Sequence, residues 1–382
     1  MKTILSNKYI KLLVAVLAMV SFDSCLSNDN RTITLSKSDP NAVPEFDEGE
    51  GNTNIPNINY IVDDSKDDVV IDMTGIQDPD SDDEWLKLIG SNDPDQNIWI
   101  TIDTKVIKRV VVTNNADDAD ASKNVKNDFI FLVDNSGSMG DEADAIAKEI
   151  SSWAENLSSK LDVQFGCVGY DGLIRGAINL TSYDKLSAYL NRSGITGTSR
   201  TIGFDGPDAE YLKSSKSPYD LSSSQDESPM AALKYADAVF SFREGANRIY
   251  VNFTDEPNFP SNKEDFSVHF LASQSNWRAS QGTIHTVYSA TDISSETTNK
   301  KEKACRMSDY TGGTTLYVKS DFSDASLESL PITGAMQNSY TIRCKNVKEF
   351  IDGYEHTLTI TIMTKDGRVK AKKSFTIIFS RV

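Results

Sequence analysis

The sequence predicts an α/β fold: a doubly wound, mostly parallel sheet with helices on both faces, inserted in or flanked by a β-sandwich-like domain. Three observations carry this. Residues from about 128 to 337 alternate apolar strand runs with helix patterns, the signature of a parallel sheet covered by helices. The run Phe129-Ile-Phe-Leu-Val133 is apolar without alternation, as expected of a strand buried on both faces. The stretches on either side of that region read instead as strands with no helices between them.

The elements follow in order. Lys2, Lys8 and Lys11 precede the apolar run Leu12 to Val20, which is too short to span a membrane and suits a signal peptide. Ser21-Phe-Asp-Ser-Cys25 follows. A small residue before a cysteine resembles a bacterial lipoprotein processing site, of the looser kind seen in Bacteroides-type bacteria. Phe22 and Asp23 depart from the usual pattern. Residues 1–24 are therefore expected to be a lipoprotein signal peptide and Cys25 the lipidated first residue. An ordinary secreted protein with a spare cysteine is the alternative. Residues 25–54 are rich in Ser, Asn, Asp, Pro, Gly and Glu and read as a disordered tether. The expected location is the bacterial cell envelope, lipid-anchored, with the outer membrane favoured and the side it faces left open.

Residues 55–120 form an N-terminal β segment. Val69 to Ile71 and Leu86 to Ile89 are short strand candidates, and Ile98 to Ile102 and Val106 to Val112 are clearer ones. Residues 121–337 form the α/β domain, entered through the polar linker Asn114 to Ser122. Its strands fall at 129–133, 163–170, 176–180, 248–253, 283–288 and 315–318. Its helices fall at about 141–161, 183–190 and 229–242. Residues 338–382 return to β, with strands beginning at Tyr340, His356 and Lys373 and a hairpin turn at Lys365-Asp-Gly-Arg368. A few strands with one buried face are marginal alone. The two β segments are therefore expected to pair, which makes the α/β domain an insertion.

The chemistry concentrates where Phe129 to Val133 ends. Asp134, Ser136 and Ser138 stand at every second position on the loop, with Gly137 and Gly140 keeping it supple. Sites in α/β sheets lie at the carboxyl ends of strands. A carboxylate and two hydroxyls there can converge on a hard cation, which takes oxygen ligands and waters. A second apolar strand, Asn247 to Thr254, ends in Asp255 and Glu256. The two strand ends can share one ion.

These residues resemble a von Willebrand factor type A (VWA) domain, a Rossmann-like fold with a metal-ion-dependent adhesion site (MIDAS). Asp134, Ser136 and Ser138 match that family's first metal loop, and Asp255 in Phe253-Thr-Asp-Glu-Pro257 matches the last. The resemblance implies Mg²⁺, or Mn²⁺ or Ca²⁺ in its place, and a protein ligand that supplies an acidic side chain to the open metal position. The middle loop stays open between two residues. Asp226 directly precedes a helix, and Thr198 looks right locally but lies far from the next clear helix. Helix capping is the plain alternative for Asp226 and Glu227. The connection from Ser193 to Ser228 would rise on the metal face, with Arg200, Phe204, Tyr211 and Tyr219 as candidate partner contacts, or be an ordinary variable loop.

The net charge of -17 and pI near 4.7 argue against nucleic acid and anionic membrane surfaces, leaving the lipid anchor as the membrane link. Cys167 reads as a buried small hydrophobe; Cys305 and Cys344 could pair. Asp78 to Glu84 lacks the glycine and distant Glu of a helix–loop–helix calcium site. His269, His285 and His356 show no zinc spacing. The expected function is metal-dependent protein interaction or adhesion, with no enzymatic activity. The alternative is a structural subunit of an envelope or surface assembly with a non-essential metal site. A serine hydrolase ranks last, because Asp134 occupies the first glycine position of a nucleophile elbow and no His has the context of a base.

Overall fold

The structure is a computed structural model. It describes residues 42–381 except 82–83, 118–124, 141, 192–198, 222–225, 262 and 290–300, so Cys25 and Thr198 lie outside the described residues. Three sheets organise residues 43 onward. The first is four-stranded, in the order β1-β2-β13-β5, from β1 (Ile58–Asp63), β2 (Asp68–Met73), β5 (Val110–Asn114) and β13 (Tyr340–Cys344). The second is also four-stranded, in the order β15-β14-β3-β4, from β3 (Ile98–Ile102), β4 (Lys105–Val106), β14 (Glu355–Met363) and β15 (Lys370–Ile378). Every pairing in these two sheets is antiparallel. They share one core, in which Val69, Ile71 and Ile342 of the first meet Ile98, Ile100, Leu358 and Ile360 of the second.

The third sheet is seven-stranded, in the order β12-β11-β10-β6-β7-β8-β9. Its strands are β6 (Lys126–Asp134), β7 (Asp162–Tyr170), β8 (Ile174–Thr181), β9 (Gly203–Phe204), β10 (Asn247–Thr254), β11 (Thr283–Tyr288) and β12 (Thr315–Tyr317). Successive residues of β6 go to opposite faces. Phe129, Phe131 and Val133 join a core with α1 (Ala143–Ser158) and α2 (Tyr183–Leu190). Ile130 and Leu132 join another with α3 (Ala209–Ser215), α4 (Pro229–Val239) and α5 (Arg306–Thr311). The last helix, α6 (Ile332–Gln337), leads into β13.

The expected fold class is corrected by these sheets. The chain is a mixed α/β protein with two antiparallel sheets and one mixed sheet, not a doubly wound parallel fold with a flanking domain. The physical reason in the third sheet is the connection between β7 and β8. Only Asp171, Gly172 and Leu173 link them. A parallel return needs a crossover of a dozen or more residues, so β8 must turn back antiparallel. At the two ends, β13 sits between β2 and β5, and β14 sits between β3 and β15. Strands far apart in sequence thus complete each other's ladders.

Three smaller expectations also change. Leu86 to Ile89 is not a strand. Two of its N–H groups go to side chains, Leu88 N–H to Asn114 Oδ1 at 3.0 Å and Ile89 N–H to Asn97 Oδ1 at 2.7 Å, while Leu86 N–H goes to the Ile76 carbonyl. The stretch from Ser193 to Ser228 is not an open loop throughout, since β9 and α3 lie within it. Cys305 and Cys344 are not joined to each other and are both buried, and Cys167 is buried in the core of the third sheet.

The sheets are braced by ions at places the chemistry does not use. Arg243 donates to Asp128, Asp162 and the Asn127 carbonyl, tying together the starts of β6 and β7. Arg368 holds Asp78 with two hydrogen bonds of 2.6 Å and Asp80 with one of 2.8 Å, so that acidic turn is ion-paired. Among the described residues, no helix is long and apolar enough to cross a membrane.

Candidate functional site

The parallel register of β6 and β10 builds the site. Phe253 lies opposite Val133, so Thr254 and Asp255 come level with Asp134 at the carboxyl edge of the sheet. Asp134 is 2% exposed. One of its oxygens accepts the Ser136 N–H at 2.8 Å and the other accepts the Thr254 hydroxyl at 2.8 Å. The Ser136 and Ser138 hydroxyls are 3.0 Å apart, and Ser138 Oγ donates to Asp255 Oδ1 at 3.2 Å. Asp134, Ser136, Ser138 and Asp255 therefore stand in one hydrogen-bonded group, with Thr254 bridging its rear. The tight turn Gly137–Met139 brings Ser138 round towards the end of β10.

The electrostatics are those of crowded acids. Burial pushes the Asp134 carboxyl up to about 7, and the Asp255 charge adds to the rise. Burial also raises Asp255; the Ser138 hydrogen bond opposes this, while Glu256 and Glu142 add to it. Glu227 is raised by burial first, then by the charges of Glu256 and Asp255. The nearby cation is Lys301, 3.4 Å from Glu256 at the rim.

Asp226 is half-buried before α4. Among the described residues, no hydrogen bond ties it to Asp134, Ser136, Ser138 or Asp255. Nor is it the helix cap, since Ser228 Oγ accepts the Ala231 N–H at 3.3 Å. The charges of its neighbour Glu227 and of Asp255 act on each other. Sequence reasoning passed over Thr254 and Thr201 and read Glu227 only as a helix-capping candidate. The parallel register of the two strands was the signal that could have found Thr254. Thr201 is 1% exposed and hydrogen-bonds Asn135 from behind the first loop. Of the other contact candidates, Tyr211 is exposed, Arg200 pairs with Asp144, and the Tyr219 ring packs on Tyr235.

The donor set consists of hard oxygens: two carboxylates and the serine hydroxyls. Among the described residues, no group of three or more His, Cys, Asp or Glu is arranged for a metal ion. An oxygen-only donor set of this kind is the type that Mg²⁺ takes, with one or two carboxylates and waters. The three histidines are engaged away from the cluster. His269 bonds Tyr310, His285 accepts the Thr314 N–H, and His356 lies between Asp103 and Asp352.

No family model matches the chain, and no curated protein matches it. Solved structures similar to it include the adhesive tip pilin GBS104 from Group B Streptococcus agalactiae, at 15% identity and a TM-score of 0.23, over 35% of this chain and 46% of that one. The pilus adhesin SpaC from Lactobacillus rhamnosus GG is similar at 10% identity and a TM-score of 0.33, over 80% of this chain and 49% of that one. The PilB minor pilin from Streptococcus sanguinis is similar at 11% identity and a TM-score of 0.30, over 74% of this chain and 75% of that one. The chain spans about half the length of the tip pilin and of the pilus adhesin. At these scores the likenesses carry no argument about function.

Proposed function

We propose that the chain is a binding or assembly subunit of the bacterial surface, and that the cluster at the ends of β6 and β10 holds a divalent cation. The observation that carries this is the convergence of Asp134, Ser136, Ser138 and Asp255 within hydrogen-bond reach. Mg²⁺ would bring positive charge to acids that burial now penalises, and Mn²⁺ or Ca²⁺ could take its place. The serine hydroxyls are neutral and fill few positions, so the ion would keep a coordination position open to a further oxygen. A carboxylate from a protein partner would then complete the coordination. The match of these residues to the VWA metal loops supports the same reading; it is a likeness of two loops and not of the fold. Asp226 is the middle-loop candidate for the ion, with Glu227 beside it as a second acid.

A hydrolase is disfavoured by the partners of the serines, which are each other and Asp255, with the histidines engaged elsewhere. The pilus adhesins among the structural neighbours have a role of the proposed kind but add no weight to it. The reading of Cys25 as a lipid-bearing residue belongs to the same proposal. It would anchor the chain in the envelope, most simply in the outer membrane. If the metal proves dispensable for partner binding, a structural subunit of a surface assembly remains.

Partner capture from envelope extract tests this, in Mg²⁺ and in EDTA, for the parent and for Ser138→Ala. The expected result is capture that EDTA and the substitution both abolish. Capture surviving both would place the partner on another surface.

A further inference from the structure

Behind the cation cluster lies a second layer of polar side chains, shut away from solvent. Tyr170 of β7 and Asn252 and Thr254 of β10 are each 0% exposed. The Tyr170 hydroxyl donates to Asn252 Oδ1 at 2.7 Å, and the Thr254 hydroxyl is a hydrogen-bond neighbour of the same phenol oxygen. Thr254 in turn accepts the Glu256 N–H at 3.1 Å and donates to Asp134 Oδ2 at 2.8 Å. Asn252, Tyr170, Thr254 and Asp134 thus form one chain of contacts that ends at the candidate metal ligand. The Tyr170 carbonyl also accepts the Asn135 N–H at 2.6 Å, so the same residue holds the first loop by its backbone.

Two features distinguish this layer from ordinary core. The first is that Asn252 keeps a buried amide for a single bond: its Nδ2 has no partner among the described residues. Such a group costs stability, and an apolar side chain on a core strand would avoid the loss. What the amide supplies is an acceptor for the Tyr170 proton. With that proton directed to Asn252, the phenol cannot donate to Thr254, and the one Thr254 proton goes to the carboxylate, the stronger acceptor. The second feature is the grip on Asp134. One of its oxygens takes the Ser136 N–H and the other the Thr254 hydroxyl, so the carboxylate is held at both oxygens and cannot turn.

We propose that Tyr170 and Asn252 are positioning residues that fix Thr254 and, through it, Asp134, and that they set a preference for Mg²⁺ over Ca²⁺. This rests on the cluster holding a divalent cation. Mg²⁺ demands near-ideal octahedral geometry at short distances, whereas Ca²⁺ takes more oxygens in flexible geometry, often with both oxygens of one carboxylate. A carboxylate held from behind at both oxygens presents itself in one fixed direction and is not free to swing round an ion. Loosening it therefore costs Mg²⁺ more than Ca²⁺. Neither Tyr170 nor Asn252 touches the ion; both act through Thr254.

The test is calorimetric titration of the full chain with Mg²⁺ and with Ca²⁺, comparing the parent with Tyr170→Phe and Asn252→Leu, each checked for folding by its melting curve in EDTA. Both variants should weaken Mg²⁺ binding about ten-fold and Ca²⁺ binding by less, so that the ratio of the two affinities falls. A general loosening of the fold would lower both ions alike. Tyr250→Phe, which removes a fully buried hydroxyl from the same strand away from the cluster, should leave both affinities at the parent's values. The proposal is overturned if either folded variant binds Mg²⁺ as tightly as the parent, or if Mg²⁺ and Ca²⁺ are weakened by the same factor. A parent that binds neither ion overturns the cation reading itself, and this inference with it.

Discussion

At the scale of the residue, Asp134 explains most of what the site does. A carboxyl that is 2% exposed, and whose hydrogen bonds from Ser136 and Thr254 do not offset that burial, holds its proton more tightly in the folded chain than in the unfolded one. Its folded pKa of about 7 lies above its ordinary value of 3.8. Between those values the folded state binds more protons, so stability falls as pH rises from about 4 to 7. The loss is at most about 4 kcal/mol for this group. Thermal melts of the chelated protein across that range should show the decline, and a divalent cation at pH 7 should reverse it. Asp134→Asn should flatten the decline and lower cation affinity by about 100-fold. A pH-independent melting point in EDTA would contradict the account of Asp134.

At the scale of the element, the site depends on strands that are pinned from behind. A Cβ at Gly169 of β7 would overlap Thr201 Oγ1 and Asn135 Nδ2, the pair that backs the first loop. Gly169→Ala should cost about 1–3 kcal/mol in urea unfolding and weaken cation binding with it. At the other end of the sheet, Asp128 is fully buried and depends on Arg243. Arg243→Leu should cost about 3–5 kcal/mol, because it strands a buried charge. Much of this level was legible in the sequence. Ile98 to Ile102, Phe129 to Val133 and Arg248 to Phe253 are branched or aromatic runs, and each lies within a strand. Leu86 to Ile89 has the same look but bonds to Asn97 and Asn114 side chains, which no local pattern reveals. That Asp134, Ser136, Ser138 and Asp255 could meet was legible because two apolar strands end there, and β6 and β10 are parallel neighbours. Thr254 was not, because its place beside Asp134 depends on the register of β10 against β6.

At the scale of the molecule, the chain's last strands complete sheets begun near residue 58. β13 is an inner strand of one antiparallel sheet and β14 of the other. Removing residues 339–382 should therefore abolish cooperative unfolding of both sheets and expose Val69, Ile71 and Ile100 to proteolysis. A truncated chain that kept a single sharp transition would contradict this interdependence. The fold class was misread at this scale because the strand–helix alternation of the middle was taken for the whole. The short β7–β8 connection and the two antiparallel sheets outweigh it. The central claim concerns the ion itself, and calorimetric titration with Mg²⁺ and Mn²⁺ tests it most directly, comparing the parent with Asp134→Ala and Asp255→Ala. The account expects one site in the parent and none in either variant. Equal binding by all three proteins, or none by the parent, would contradict it.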